Sequence, residues 1–380
     1  MRIAIDASTI STQGGPRTYV LGLIDALLRI DRENEYVIFL NSTEHLGRFP
    51  GAREIVLTGT SPLARLWREH VLLPRACSRE RIDLLHCPKS AIPWRSPCPV
   101  VVTLHDLIPV QHPELEKTAA HLYWRVHIPR AALRSDHVIT ISHWAKAGIM
   151  ESFGVPEERI SVIMQSYDPA MLDPRDPVAG AAVRARYGLG EGYILYVGTI
   201  QPRKNLISLI EAYALLRDEP NLPPLVIVGR KGWLYDELFR RVAERGLEEK
   251  IVFTGFVPDE ELPFIFDGAA VFAYLSLLEG FGRPPLEAMA CGVPTITSDT
   301  SAIPEVVGDA GVTVPPTDLP AIAAALKGLL NDPLLAERLR QRGRERAAGF
   351  SWDTAARETL AVYEETFRRV RKGSHEKDHR

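Results

Sequence analysis

Cysteine is scarce: four in 380 residues, with no Cys-x-x-Cys spacing, which excludes a disulfide-stapled scaffold and a thiolate metal cluster. Buried free thiols in a reducing cytosol are the expectation. No apolar run approaches the ~20 residues that a membrane-spanning helix needs. Met1 runs straight into the strand-like Arg2-Ile3-Ala4-Ile5-Asp6, so neither a signal peptide nor secretion is expected, and the cytoplasm is the expected location. There is no basic excess either. The 45 Lys and Arg against 48 Asp and Glu give a net charge of −3, which argues against a nucleic-acid partner. No Gly-x-Gly-x-x-Gly follows the first strand, and no Walker-type glycine loop occurs. Gly188-Leu189-Gly190-Glu191-Gly192 precedes a strand instead and reads as a linker end. His86, Cys87, His105 and His112 lack metal-ligand spacing with a fourth partner, so no metal is expected.

What is abundant is apolar sequence: 46% of the residues are hydrophobic, enough for sizeable cores, and the length favours two domains or more. Strand-like runs alternate with helix-like runs, which predicts parallel sheets covered by helices. One set runs through 2–7, 36–40, 55–58, 82–86, 100–105, 137–141 and 160–164. A second runs through 193–198, 225–229, 251–255, 270–275, 295–298 and 311–314. The proline- and aspartate-rich segment from Asp168 to Pro177 between them reads as a linker. The α/β reading is therefore two Rossmann-like domains, 1–168 and 169–351, with a final amphipathic helix over 352–371 and a polar tail.

The most informative stretch is Glu279-Gly280-Phe281-Gly282-Arg283-Pro284-Pro285-Leu286-Glu287. An apolar strand precedes it, and the helix-forming Leu286-Glu287-Ala288-Met289-Ala290-Cys291 follows, with Gly292 as its stop. Two carboxylates thus flank a glycine loop at a strand-to-helix junction, where open α/β sheets bind ligands and helix ends favour anions. Gly280 and Gly282 permit close backbone approach, and the prolines suit a first helical turn. Carboxylates accept hydrogen bonds from sugar and ribose hydroxyls. A phosphate between two such groups describes a nucleotide-sugar site.

That stretch closely resembles the motif of glycosyltransferase family 4, the retaining GT-B enzymes: two glutamates separated by seven residues around Gly-Phe-Gly. The resemblance covers nearly the whole chain. It implies a GT-B fold, two facing Rossmann-like domains with the last helix crossing back onto the first. It also implies that Glu279 contacts the donor sugar and Glu287 the ribose, with Gly280, Phe281, Gly282 and Arg283 around the donor. Gly198-Thr199-Ile200-Gln201-Pro202-Arg203-Lys204 resembles the family's diphosphate-binding turn. Lys204 matches the family lysine, whereas Thr199 stands where an arginine is usual, and Arg203 is the candidate replacement. Phe256 and Val257 resemble the turn that receives the base, and Gly229 the turn beneath the donor, beside Arg230 and Lys231. The segment Ser11-Thr12-Gln13-Gly14-Gly15-Pro16-Arg17-Thr18-Tyr19, with Gly14 and Gly15 at its centre, resembles the loop over the donor phosphates, and His105 the histidine facing the donor sugar. Asp106 either orients His105 or caps the next turn. His86 reads as structural or acceptor-side.

The resemblance further implies a hexose carried on a nucleotide and a glycan or polyprenyl-linked acceptor, with no separate cofactor. The Asp6-Ala7-Ser8 start, His105 to Pro109, Pro202 to Asn205 and Gly232-Trp233-Leu234-Tyr235 look most like bacterial polysaccharide mannosyltransferases, which favours GDP-mannose over UDP-glucose. No Asp-x-Asp of the metal-dependent sugar transferases occurs. A GT-B epimerase and a non-catalytic nucleotide-sugar binder remain alternatives, the latter because Thr199 and Gln165-Ser166 depart from the family pattern. Two segments, Leu63–Arg75 and Leu122–Arg130, mix basic and aromatic residues. Core packing and docking on the inner face of a membrane are both consistent with them.

Overall fold

The computed structural model describes the chain apart from residues 13, 60, 113, 115–117, 173–175, 231, 233–235 and 379–380. Gln13, Lys231 and the Trp233-Leu234-Tyr235 run, singled out above, lie outside the described residues. The chain forms two compact units, Met1–Ser166 with Ser351–Arg380, and Tyr167–Phe350.

The first unit holds seven parallel strands: β1 (Arg2–Asp6), β2 (Glu35–Leu40), β3 (Arg53–Val56), β4 (Leu84–Cys87), β5 (Val100–Leu104), β6 (His137–Thr140) and β7 (Ile160–Val162). Their spatial order is β3-β2-β1-β4-β5-β6-β7. The second holds six: β8 (Tyr193–Val197), β9 (Leu225–Val228), β10 (Ile251–Gly255), β11 (Ala269–Tyr274), β12 (Thr295–Ser298) and β13 (Val312–Val314), in the order β10-β9-β8-β11-β12-β13. Every strand expected from the sequence forms. Most are buried on both faces, as helix-covered parallel strands must be, so their sequences read as unbroken apolar runs.

Strand order decides where ligands can sit. In each sheet the order reverses once, between β1 and β4 and between β8 and β11. The loops leaving those strands diverge and open a crevice at the carboxyl end of the sheet. The loops after β8 and β11 carry the Gln201–Lys204 turn and the Glu279–Glu287 stretch.

The final helix, Trp352–Asp378, runs beyond the expected 371 and belongs to the first unit. Trp352 lies edge-on to Tyr19 at 5.8 Å and fills the space above Gly22, where an added Cβ would come within 2.2 Å of the indole. Deeper in, Tyr363 meets His86 Nδ1 at 2.6 Å, and Thr103 meets Nε2 at 2.8 Å. Burial pushes the His86 pKa down to about 3, so it is a neutral core histidine tying the last helix to β4 and β5. Its role is structural.

The segment after Ser61 is a helix, Pro62–Trp67, continued by a π turn over Arg68–Leu72 and a helix over Leu73–Arg79. Helix Thr118–Arg134 packs Ile128, Ala131 and Ala132 into the core of the first sheet. Core packing is thus correct for part of both basic-aromatic segments. Among the described residues, no single helix is long and apolar enough to cross a membrane.

Candidate active site

In the second unit, the chain leaving β8 turns through a 3-10 segment, Pro202–Lys204. Asn205 ends that turn in a left-handed conformation (φ 54°), which asparagine tolerates better than most residues. Its amide donates to the Leu275 carbonyl at 3.1 Å and the Pro316 carbonyl at 2.6 Å. The Arg203 carbonyl accepts from Leu277 N–H at 2.8 Å. These bonds tie the β8 loop to the end of β11 and fix two cations against one carboxylate.

Lys204 Nζ lies 2.5 Å from Glu279 Oε1, and Arg203 Nη1 lies 2.9 Å from Oε2. Tyr274, the last residue of β11, receives a bond from Lys204 Nζ at 2.5 Å and donates to Glu279 Oε1 at 2.8 Å. Arg203 also donates to the Leu278 carbonyl at 3.0 Å. With its amide oxygen turned toward Arg203, Gln201 accepts from Nε at 2.9 Å and Nη2 at 3.1 Å. Lys204 and Glu279 are buried. Burial alone would raise the Glu279 pKa, but the positive charges of Arg203 and Lys204 overcome it and hold the carboxyl down to about 2. Counting one carboxylate and two cations, the cluster carries a net positive charge beside the Glu279–Arg283 loop.

Gly282 caps helix Arg283–Ala290 at φ 112°, a backbone region that favours glycine. Pro284 and Pro285 have no N–H, so donors at this helix end must come from residues 280–283. Phe281 turns its ring into the protein against Phe350 (5.9 Å, 81°), so its side chain is a packing element. Glu287 is buried one turn into the helix, with Arg283 Nε 3.2 Å from its carboxylate. Burial raises the Glu287 pKa and Asp259 and Asp168 add to it, against the lowering effect of Arg283. Two glutamates of one motif thus stand in opposite electrostatic settings.

Gly198 and Gly229 bring the ends of β8 and β9 together: a Cβ on Gly229 would lie 2.0 Å from the Gly198 carbonyl oxygen. Val257 is buried, while Phe256 is exposed with the Arg230 guanidinium 4.2 Å over its ring. Arg230 is thus surface-exposed but placed on Phe256. Thr199 is exposed as well.

The first unit holds the remaining candidates. Gly14 caps helix Gly15–Ile30. His105 is held 3.2 Å from the Pro88 carbonyl and edge-on to Tyr19 at 4.8 Å. Burial lowers its pKa to about 4, so it is neutral near pH 7. Asp106 accepts from Ile108 N–H at 3.2 Å and therefore caps the following turn. His105 lines a cavity of about 620 Å³ together with Ser8, Lys89, Ser90, Arg65 and Tyr123. On its floor Lys89 Nζ bridges Asp6 and Glu69, at 2.8 Å each. Burial would raise the Asp6 pKa, but Lys89 and Arg68 bring it below the ordinary value.

Sequence reasoning missed Tyr274, Gln201, Asn205, Lys89 and Glu69. Tyr274 and Lys89 follow or end a buried strand beside a switch point, a position that marks them once strand order is known. Among the described residues, no three His, Cys, Asp or Glu side chains are grouped to hold a metal ion.

Two family models match the chain, Glycosyltransferase Family 4 over residues 13–170 and Glycosyl transferases group 1 over residues 184–346. The chain is 36% identical to O-antigen chain mannosyltransferase B of Escherichia coli, over 74% of this chain and 74% of that one. It is 30% identical to the serotype-specific mannosyltransferase WbdA of Escherichia coli over 77% of its own length, but spans only 35% of that longer protein. In structure it resembles HepE from Anabaena, solved in complex with UDP-glucose: TM-score 0.77 at 19% identity, covering 96% of this chain and 100% of that one.

Proposed function

We propose, for a chain that belongs to glycosyltransferase family 4 and is a glycosyltransferase of the GT-B fold, that it moves mannose from GDP-mannose with retention of configuration. The acceptor is a glycan or polyprenyl-linked glycan in bacterial surface polysaccharide synthesis, and the enzyme works in the cytoplasm at the inner face of the membrane. What carries the reading is the Lys204–Arg203–Glu279 cluster at the switch point of the second sheet. The mannose follows the names of the relatives.

The chemistry follows from charge. The acceptor hydroxyl oxygen bonds to the anomeric carbon as the bond from that carbon to the diphosphate oxygen breaks. The acceptor proton passes to the departing diphosphate on the same face. No enzyme nucleophile is needed. Lys204 and Arg203 neutralise the growing negative charge, as preorganised cations in a water-poor site do well. Glu279 supports the positive charge that develops on the sugar, and Glu287 holds the ribose hydroxyls. His105, neutral near pH 7, offers hydrogen bonds to the sugar without adding charge. Transfer therefore proceeds without a divalent metal, and activity is expected to survive EDTA; loss with EDTA and rescue by magnesium or manganese would overturn that assignment.

A donor panel scored by thermal shift, followed by mass spectrometry of the product, tests the whole reading. GDP-mannose is expected to give the largest shift and a product heavier by one hexose. A larger shift and a product with UDP-glucose alone would replace the donor. Nucleotide release without acceptor would favour the epimerase.

A further inference from the structure

Tyr274 closes β11 with its ring fully buried. Phe272, two residues earlier and therefore on the same face of the strand, stacks against it at 6.0 Å and 16°. Tyr196 of β8 stacks at 5.8 Å and 14°. β11 lies between β8 and β12 and pairs with both, Tyr274 standing opposite Thr297. Moving the ring would break a ladder on either side, so its hydroxyl is a fixed point. The groups that meet it are held less firmly. Lys204 reaches in on a flexible stem from a 3-10 turn, and Glu279 follows in the loop after the strand.

The three polar atoms close a triangle. Lys204 Nζ is 2.5 Å from the Tyr274 oxygen and 2.5 Å from Glu279 Oε1, and the Tyr274 oxygen is 2.8 Å from the same Oε1. An ammonium only donates and an ionised carboxylate only accepts, so the directions are forced. Lys204 donates to the phenol oxygen, and the phenol O–H donates to Glu279. Burial and the negative charge of Glu279 raise the Tyr274 pKa well above its ordinary value, so the O–H stays a donor near neutral pH. Arg203 takes the other oxygen, Oε2, at 2.9 Å. Of these donors to Glu279, Lys204 and Arg203 are cations and Tyr274 is neutral.

That difference matters once an anion arrives. A diphosphate attracts both Lys204 and Arg203, and every bond they turn to it is withdrawn from Glu279. A neutral phenol held by its strand is not drawn away. We propose that Tyr274 is a positioning residue for transfer: it fixes where the Lys204 ammonium stands and keeps a hydrogen bond on Glu279 while the cations serve the departing diphosphate. Glu279 then remains ionised opposite the positive charge that develops on the sugar, when the help of its two cations is weakest. Groups built on strands and locked by packing hold such geometry better than groups on loops. A ring that only packed β11 against β8 would need no hydroxyl. The inference rests on the transfer chemistry proposed above, whichever nucleotide hexose is carried.

Tyr274→Phe keeps the ring and both stacks and removes only the O–H. Steady-state kinetics with the donor that the unaltered chain uses should show kcat falling about ten- to a hundredfold, the worth of one hydrogen bond to a charged group. The donor Michaelis constant should change by less than about threefold, because the contact matters in the transition state. A carboxylate that loses a donor is more easily protonated, so the acid limb of kcat should move to higher pH by roughly one unit. Tyr196→Phe is the control. It alters the same stack, but its O–H reaches only the Thr199 carbonyl at 3.4 Å, and both kcat and the acid limb should stay in place. A fluorotyrosine at position 274, with its more acidic O–H, should restore turnover and carry the acid limb below that of the unaltered chain; this arm decides if the phenylalanine variant does not fold. Unchanged kcat in Tyr274→Phe, a loss confined to the Michaelis constant, equal losses in both phenylalanine variants, or a limb that the fluorotyrosine leaves unmoved each overturns the positioning role. If the unaltered chain moves sugar from no nucleotide donor, the proposed function falls first and takes this role with it.

Discussion

Replacing Glu279 by glutamine keeps the shape of the side chain and removes its charge. Arg203 and Lys204 then face a neutral amide, and Lys204 and residue 279 remain buried. The carboxyl falls from an ordinary 4.5 to about 2 in the folded chain, and each pH unit corresponds to about 1.4 kcal/mol. The charged form therefore stabilises the fold by about 3 kcal/mol at neutral pH, in line with the ~3–5 kcal/mol cost of breaking a buried pair. Because the folded value is depressed, this stability is fully present above 4.5 and lost as pH falls through about 2. Around pH 3 roughly 1 kcal/mol should remain. The assay is native-state hydrogen exchange of β8 and β11 amides, run on both proteins at neutral and acid pH. The variant should open more easily by about 3 kcal/mol at pH 7, with the difference narrowing in acid. A difference under about 1 kcal/mol at pH 7, or one that does not shrink in acid, would refute the electrostatic account. The same variant should hold free nucleoside diphosphate more tightly, since the anion no longer competes with a carboxylate, yet transfer sugar poorly.

Lys204→Ala should lower turnover by ~10²–10³ more than it weakens donor binding, because the diphosphate gains charge as the glycosidic bond breaks. Arg203→Ala should cost a comparable amount, since Arg203 grips the same carboxylate; steady-state kinetics of both variants decide, and a change confined to the donor Michaelis constant makes Lys204 a binding residue only. Glu287→Ala should weaken nucleotide binding by ~1.5–3 kcal/mol for each charge-assisted bond to ribose lost, and unchanged affinity by calorimetry in a folded variant removes it from that role. Gly22→Ala should destabilise the first unit by ~1–3 kcal/mol or more, because the new methyl overlaps the Trp352 ring; an unaltered urea midpoint would mean the last helix is not anchored there.

The sequence by itself determined what is local or periodic. Strands buried on both faces announce themselves as apolar runs, so both sheets were legible before any coordinates. The Glu279–Glu287 stretch was legible too, because a strand, a glycine loop, two prolines and a helix are consecutive residues whose spacing carries their chemistry. Tertiary structure alone decided which charges meet. Lys204 and Glu279 are 75 residues apart, His86 and Tyr363 are 277 apart, and Lys89 reaches Glu69 and Asp6 from different strands and loops. The same holds for the contrast between Glu279, held near 2, and Glu287, raised by burial: one spacing motif, two electrostatic settings. Strand order sets these meetings, because placing β8 beside β11 brings two distant loops to one crevice, and burial there turns charges that would be weak in water into strong partners.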